Sequence, residues 1–66
     1  MIQSIGETAG KMWEFLNERG EANIIELMKG IGADASLIFQ AIGWLAREDK
    51  LLIAKKEDYI TYSLKA

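Results

Sequence analysis

The spacing of the apolar residues changes once along this chain, at Lys50, and that change decides what the chain can fold into. Before Lys50 the apolar positions recur at intervals of three and four, as they do in helices with one buried face. After it, residues 51–56 and 59–64 are rich in β-branched and aromatic side chains and read as two strands. With Glu57-Asp58 as the loop between them, Ile53 pairs with Tyr62, Leu51 with Leu64 and Lys55 with Ile60. One face of this hairpin then carries Leu51, Ile53, Ile60, Tyr62 and Leu64, and is expected to pack on the helices. The other carries Leu52, Ala54, Lys56, Tyr59, Thr61 and Ser63. A two-residue loop without glycine is unusual, so a slightly longer loop stays open as an alternative.

The helix just before the change organises the rest. It starts at Asp34, whose carboxylate suits both the N-cap position and the helix dipole, and it runs to about residue 50. Advancing about 100° per residue from Ile38 gathers Ile38, Ala41, Ile42 and Leu45 into one apolar sector. Burial of Ile38, Ile42 and Leu45 contributes roughly 1.5–3 kcal/mol each, which fixes the orientation of the helix. The opposite sector collects Ser36, Gln40, Gly43 and Arg47, a small and polar face ending in one cation. Phe39 and Trp44 lie on the two flanks.

Two shorter helical patterns precede it. The first covers residues 4–19, with Ser4 as N-cap, Glu7 at the capping-box spacing, a core stripe of Ile5, Ala9, Met12 and Leu16, and Gly20 at its C-terminal end. Trp13 and Phe15 flank that stripe. Glu21-Ala22-Asn23 is a short extended link with room for a strand of one or two residues. The second covers residues 24–29, capped by Asn23 with Glu26 at the capping-box position and Ile24, Leu27 and Met28 on its apolar face. Gly30-Ile31-Gly32-Ala33 reads as the tight turn into the third helix, with glycines where the dihedrals are unusual. Helix, very short strand, short helix, tight turn, helix, hairpin is an α+β order. It predicts a winged helix-turn-helix in which the turn between the second and third helices identifies the motif and the hairpin is the wing.

A chain of 66 residues makes a single domain, residues 1–66, and buries only about 60% of its unfolded surface. Small folds of this kind usually recruit disulfides, a metal or a second subunit. There is no cysteine and no histidine, which removes disulfides and ordinary zinc sites and leaves a homodimer as the expected aid. No apolar run approaches the roughly 20 residues that span a bilayer. Met1-Ile2-Gln3-Ser4 has neither the basic region nor the apolar core of a signal peptide, so a cytoplasmic location is expected.

With those residues placed, the chain resembles a family of short bacterial and archaeal winged helix-turn-helix domains of uncharacterised function. The resemblance spans nearly the whole sequence. It is sharpest at Ile5-Gly6-Glu7-x-Ala9-Gly10-x-x-Trp13-x-x-Leu16 and at Ala41-Ile42-Gly43-Trp44-Leu45-Ala46-Arg47-Glu48. It implies the fold directly, and DNA binding by analogy with other winged helices, since a fold does not by itself establish a function. It brings no catalytic residues and no cofactor.

Catalysis finds no support in the residues. Without histidine or cysteine there is no imidazole base and no thiolate. Ser4, Ser36 and Ser63 have no identifiable activating partner, and neither a Gly-x-x-x-x-Gly-Lys loop nor a Gly-x-Gly-x-x-Gly fingerprint is present. The chain therefore reads as a binding module, not an enzyme, with no metal and no cofactor.

Two binding readings remain. In the first, the third helix enters a groove of double-stranded DNA, as in transcription regulators of this architecture. Gln40 then reads adenine, Arg47 guanine or phosphate, Ser36 either base type, Gly43 permits close approach, and Lys55 and Lys56 of the wing touch phosphates. Net charge is −2, and only residues 50–66 are basic, with four lysines against Glu57 and Asp58. That balance predicts weak, salt-sensitive contact. In the second, the shape serves a protein partner or a second subunit through Phe15, Phe39 and Trp44, aromatics of the kind that anchor interfaces. The plainer reading of Ser36, Gln40, Gly43 and Arg47 is a solvated helix face. For Lys55 it is a side chain lying along the hairpin, and for Lys56 a charge balancing Glu57 and Asp58. A mid-helix glycine costs about 1 kcal/mol against alanine, so Gly43 calls for close approach by DNA, a second subunit or a neighbouring helix.

Overall fold

The computed structural model describes the backbone of residues 2–65 and the side chains of residues 5–65. Three helices and three strands follow in the order α1 (Ile2–Arg19), β1 (Glu21–Ala22), α2 (Ile24–Ile31), α3 (Ala35–Arg47), β2 (Leu51–Lys56) and β3 (Tyr59–Leu64). The arrangement is a winged helix-turn-helix with the β2–β3 hairpin as wing.

The helix boundaries follow from their caps. Asn23 accepts from the Glu26 amide at 2.9 Å while Glu26 Oε1 accepts from the Asn23 amide at 2.9 Å, a complete capping box. Asp34 accepts from the Leu37 amide at 2.9 Å and starts α3. Gly20 and Gly32 end α1 and α2 in left-handed conformations, φ 96° and 78°, and return their amides to Leu16 and Met28. Three details depart from the sequence expectation. Helix α1 begins at Ile2, so Ser4 lies inside it and is not its N-cap. Helix α2 continues through Gly30 and Ile31, leaving only Gly32 as the left-handed turn residue. Helix α3 stops at Arg47, short of residue 50, because Asp49 turns left-handed at φ 59° and Lys50 closes the end by donating to the Leu45 carbonyl at 3.0 Å.

The core is one cluster drawn from every element. Ala9, Met12 and Leu16 of α1 meet Leu27 of α2 and Ile38, Ala41, Ile42 and Leu45 of α3, with Ala22, Leu51 and Tyr62 closing it from the sheet. These are the stripes that helical spacing predicts, although Ile5 is only half-buried.

The sheet order is β1-β3-β2, antiparallel throughout. Ile53 faces Tyr62, Leu51 faces Leu64 and Lys55 faces Ile60, the register and the two-residue loop expected from the sequence. Glu57 supplies the turn at φ 48° in place of a glycine. The expected division of the hairpin into a buried and an exposed face holds only at its base. Leu51 and Tyr62 are buried, but Ile53, opposite Tyr62 on the outer strand of the sheet, and Ile60, nearer the wing tip, are 55% and 45% exposed. Thr61, expected on the open face, is buried instead. The cause is β1, which lies along β3 and sets Glu21 over it.

Candidate nucleic-acid interface

The outward stripe of α3 is intact. Ser36, Gln40, Gly43 and Arg47 are all exposed, and Gln40 Nε2 stands 3.5 Å from Ser36 Oγ, a long contact that loosely orders the two polar side chains. A Cβ on Gly43 would meet nothing within 4 Å. Of the three reasons for a glycine there, close packing by a neighbouring helix of the same chain is therefore removed. Among the described residues Arg47 has no ion-pair partner; it lies with Trp44 and Glu48 around a shallow hollow at the C-terminal end of α3.

The two wing lysines differ. Lys55 is exposed and makes no ion pair among the described residues. Lys56 reaches across β3 to Glu21, Nζ to Oε1 at 3.0 Å, and does not balance Glu57 and Asp58. Glu21 also accepts from the Thr61 hydroxyl at 2.7 Å. That hydroxyl, and then Lys56, hold the Glu21 carboxyl below its ordinary value, while Glu21 holds the Lys56 ammonium above its own. Among the described residues, the wing thus presents Lys55 unpaired and Lys56 engaged.

The three interface candidates take different positions. Phe15 is half-buried against the core, with the Arg19 guanidinium 5.6 Å from its ring centroid. Trp44 is 38% exposed and shares a groove of about 440 Å³ with Trp13, Gly6, Ala9, Gly10 and Glu14 of α1. The two tryptophans thus line the same groove between the first and third helices, both exposed. Phe39 is 54% exposed and helps line a cleft of about 360 Å³ between the helices and the tip of the wing, with Ile25, Tyr59 and Ile60. Sequence reasoning missed this cleft. The signal was there in Ile24-Ile25, since neighbouring residues on a helix cannot both face one core, and in Ile60, whose register places it on the inner face beyond the reach of α1.

Helices, turn and wing in this geometry define a winged helix-turn-helix protein. Residues 1–64 match the model of the "Winged helix-turn-helix domain (DUF2582)" family, and the chain belongs to that family. An uncharacterised protein of Methanocaldococcus jannaschii, MJ1608, is 38% identical over 98% of this chain and 96% of its own length. Among solved structures, BT2368 from Bacteroides thetaiotaomicron superimposes with a TM-score of 0.86 at 35% identity, over 94% of this chain and 76% of that one. The Zalpha domain of Carassius auratus PKZ, solved in complex with Z-DNA, superimposes with a TM-score of 0.80 over 92% of this chain and 97% of that domain. At 20% identity that likeness speaks to the fold. No helix among the described residues is long and apolar enough to cross a membrane.

Proposed function

We propose that this domain contacts duplex DNA weakly, laying the outward face of α3 into a groove with the wing against the adjacent backbone. The observation that carries the reading is the open α3 face. Ser36, Gln40 and Arg47 project from it, and Gly43 sits between them with no packing role inside the chain. Gln40 and Ser36 supply groove hydrogen bonds, Arg47 reads guanine or grips phosphate, and Lys55 takes the nearest phosphate. Lys56 is a secondary contact, because it must first leave Glu21. With Arg47 and Lys55 alone, a fourfold rise in salt lowers affinity roughly tenfold; a third contact from Lys56 raises that to about fortyfold. A role in transcription regulation follows as the cellular reading of such a module.

The second reading, a protein-interaction module on the same scaffold, is favoured by the apolar cleft of Phe39, Ile25, Tyr59 and Ile60 beside the α3 face. A groove built for phosphate would carry cations there, and Asp58 at its lip has the opposite sign.

The test is an amide-shift titration of isotope-labelled protein with mixed-sequence duplex DNA at low and near-physiological salt. A duplex held in the Z form serves as a second ligand, given the complex formed by the Carassius auratus domain. Shifts confined to Ser36, Gln40, Gly43, Arg47 and the 55–59 region, fading as salt rises, are the expected result. No shifts with either duplex at low salt, where electrostatic contacts are strongest, would overturn DNA binding and leave the apolar cleft as the site to pursue.

A further inference from the structure

Both tryptophans of the chain, Trp13 on α1 and Trp44 on α3, line the same groove. They are 41% and 38% exposed, and neither belongs to the buried core. Two indoles left this far in water forgo burial that a small fold needs. Ala9 and Leu45 are buried and form the floor between them. Gly6 and Gly10, one turn apart on α1, also line the groove, and a Cβ on either would meet nothing within 4 Å. Packing within the chain therefore requires neither glycine, and each weakens the helix relative to alanine. What they provide is room. At about 440 Å³ the groove falls in the range of small-ligand sites, about 300–1,000 Å³.

The charges around the groove select the class of ligand. Glu14 follows Trp13 directly, Glu48 stands one helical turn after Trp44, and both carboxylates line the groove. Lys50 is the cation among the lining residues. It is engaged with Glu48, Nζ to Oε1 at 3.6 Å, in a long, exposed pair of the kind that contributes little. Arg47 lines the neighbouring hollow at the end of α3 and not this groove. Glu14 has no ion-pair partner among the described residues. An anion would meet that carboxylate with nothing to offset it. A neutral apolar ligand would strip water from it and return no interaction. A second copy on a two-fold axis would gather both sets of Glu14 and Glu48 into one interface.

An organic cation answers both features at once, since indole faces and carboxylates attract positive charge alike. The aromatic walls offer no lone pairs to N–H donors, and an alkylated nitrogen has none or few to satisfy. We infer that the groove between Trp13 and Trp44 is a binding site for a small organic cation of the alkylated-ammonium class. The indoles lie against its alkyl groups and Glu14 is its counter-ion.

The two tryptophans are also the reporters, because every indole N–H of the chain belongs to this groove. Choline is the probe. Its control is the neutral carbon isostere, in which a tert-butyl group replaces the trimethylammonium. Both are titrated into the isotope-labelled full chain, with choline chloride replacing sodium chloride so that ionic strength stays constant. Choline is expected to move both indole signals to saturation, and the isostere to bind at least about tenfold more weakly. Glu14→Gln, an exposed change that leaves the core untouched, should weaken choline by about threefold or more. Gly10→Leu, which fills the groove from a position with open space around its Cβ, should abolish the response. Indole signals that stay still at about 50 mM choline would overturn the site. So would an equal response to the isostere, or an undiminished one in Gly10→Leu. Unchanged affinity in Glu14→Gln would overturn its role as counter-ion. Indole signals that shift with protein concentration alone would place a second copy in the groove and overturn the cation. No DNA is present in these titrations, so their outcome is independent of the DNA reading.

Discussion

Phe15 lays its ring on the backbone of Gly30, so closely that a Cβ added there would stand 2.6 Å from Cζ and 2.9 Å from Cδ1. This contact sets how near α1 and α2 lie, and it explains a glycine inside a helix, where the residue ordinarily costs about 1 kcal/mol. Gly30→Ala is therefore expected to destabilise the fold by about 1–3 kcal/mol despite its better helix propensity, because a half-buried aromatic ring has to move. Chemical denaturation measures the loss. In a double-mutant cycle with Phe15→Leu, most of the penalty should disappear, since the shorter side chain frees the space over residue 30.

The helix caps separate what is read correctly from sequence and what is not. Asn23→Ala removes the side-chain half of a complete capping box, the acceptor for the Glu26 amide, and leaves the backbone half to Glu26 Oε1, so it should cost about 1 kcal/mol; Asp34→Ala should cost a similar amount. Ser4→Ala is the contrast. Ser4 lies within α1, so the change is expected to stay within about 0.5 kcal/mol of neutral. Thermal denaturation of the three variants tests this ordering.

Those caps also show why much of this fold was legible. Asn23-x-x-Glu26 and Asp34 are local signals, satisfied by backbone a few residues away, and the hairpin register follows from a two-residue loop and the strand alternation. What stayed hidden depends on distant parts of the chain. Thr61 is buried because β1, some 40 residues earlier in the chain, pairs with β3, and Lys56 is engaged because Glu21 arrives with it. Gly30 looks like a turn glycine until the ring of Phe15 is placed against it. Ile53 and Ile60 alternate like core residues, and only the sheet order, which puts β2 on the outside, and the nearness of Ile60 to the wing tip leave them in the open. At the candidate site, the exposure of Ser36, Gln40, Gly43 and Arg47 was legible from helical spacing, but the cleft beside Phe39 needed three elements brought together.

The Glu21–Thr61–Lys56 cluster gives the wing a pH dependence of defined sign. The Glu21 carboxyl is held below its ordinary value, so its contribution is fully present above the unfolded-state glutamate value of about 4.3 and fades as pH falls through the lowered native value. The Lys56 ammonium is held above its ordinary value, so its contribution is present below about 10.4 and is lost as pH rises through the raised native value. Between those limits the wing is tied to β1. In Thr61→Val the carboxyl loses its main stabilising donor, and the Glu21 midpoint, followed by carboxyl carbon shifts, should move up toward the ordinary value. An unchanged midpoint would mean that Lys56 alone sets it.

Gly43 joins stability to function most directly. A Cβ at this position meets nothing within 4 Å, and the residue lies mid-helix on the exposed face of α3. Gly43→Ala should therefore raise stability by up to about 1 kcal/mol, the full helix-propensity gain with no packing penalty. If α3 enters a DNA groove, the same methyl group stands between the helix backbone and the base edges. Affinity for duplex DNA should then fall while the melting temperature rises. A variant that is both more stable and equally able to bind would remove Gly43 from the contact surface and move the interface toward Phe39 and the wing. One that gains no stability would show that the glycine serves the folded chain in a way the local packing does not reveal.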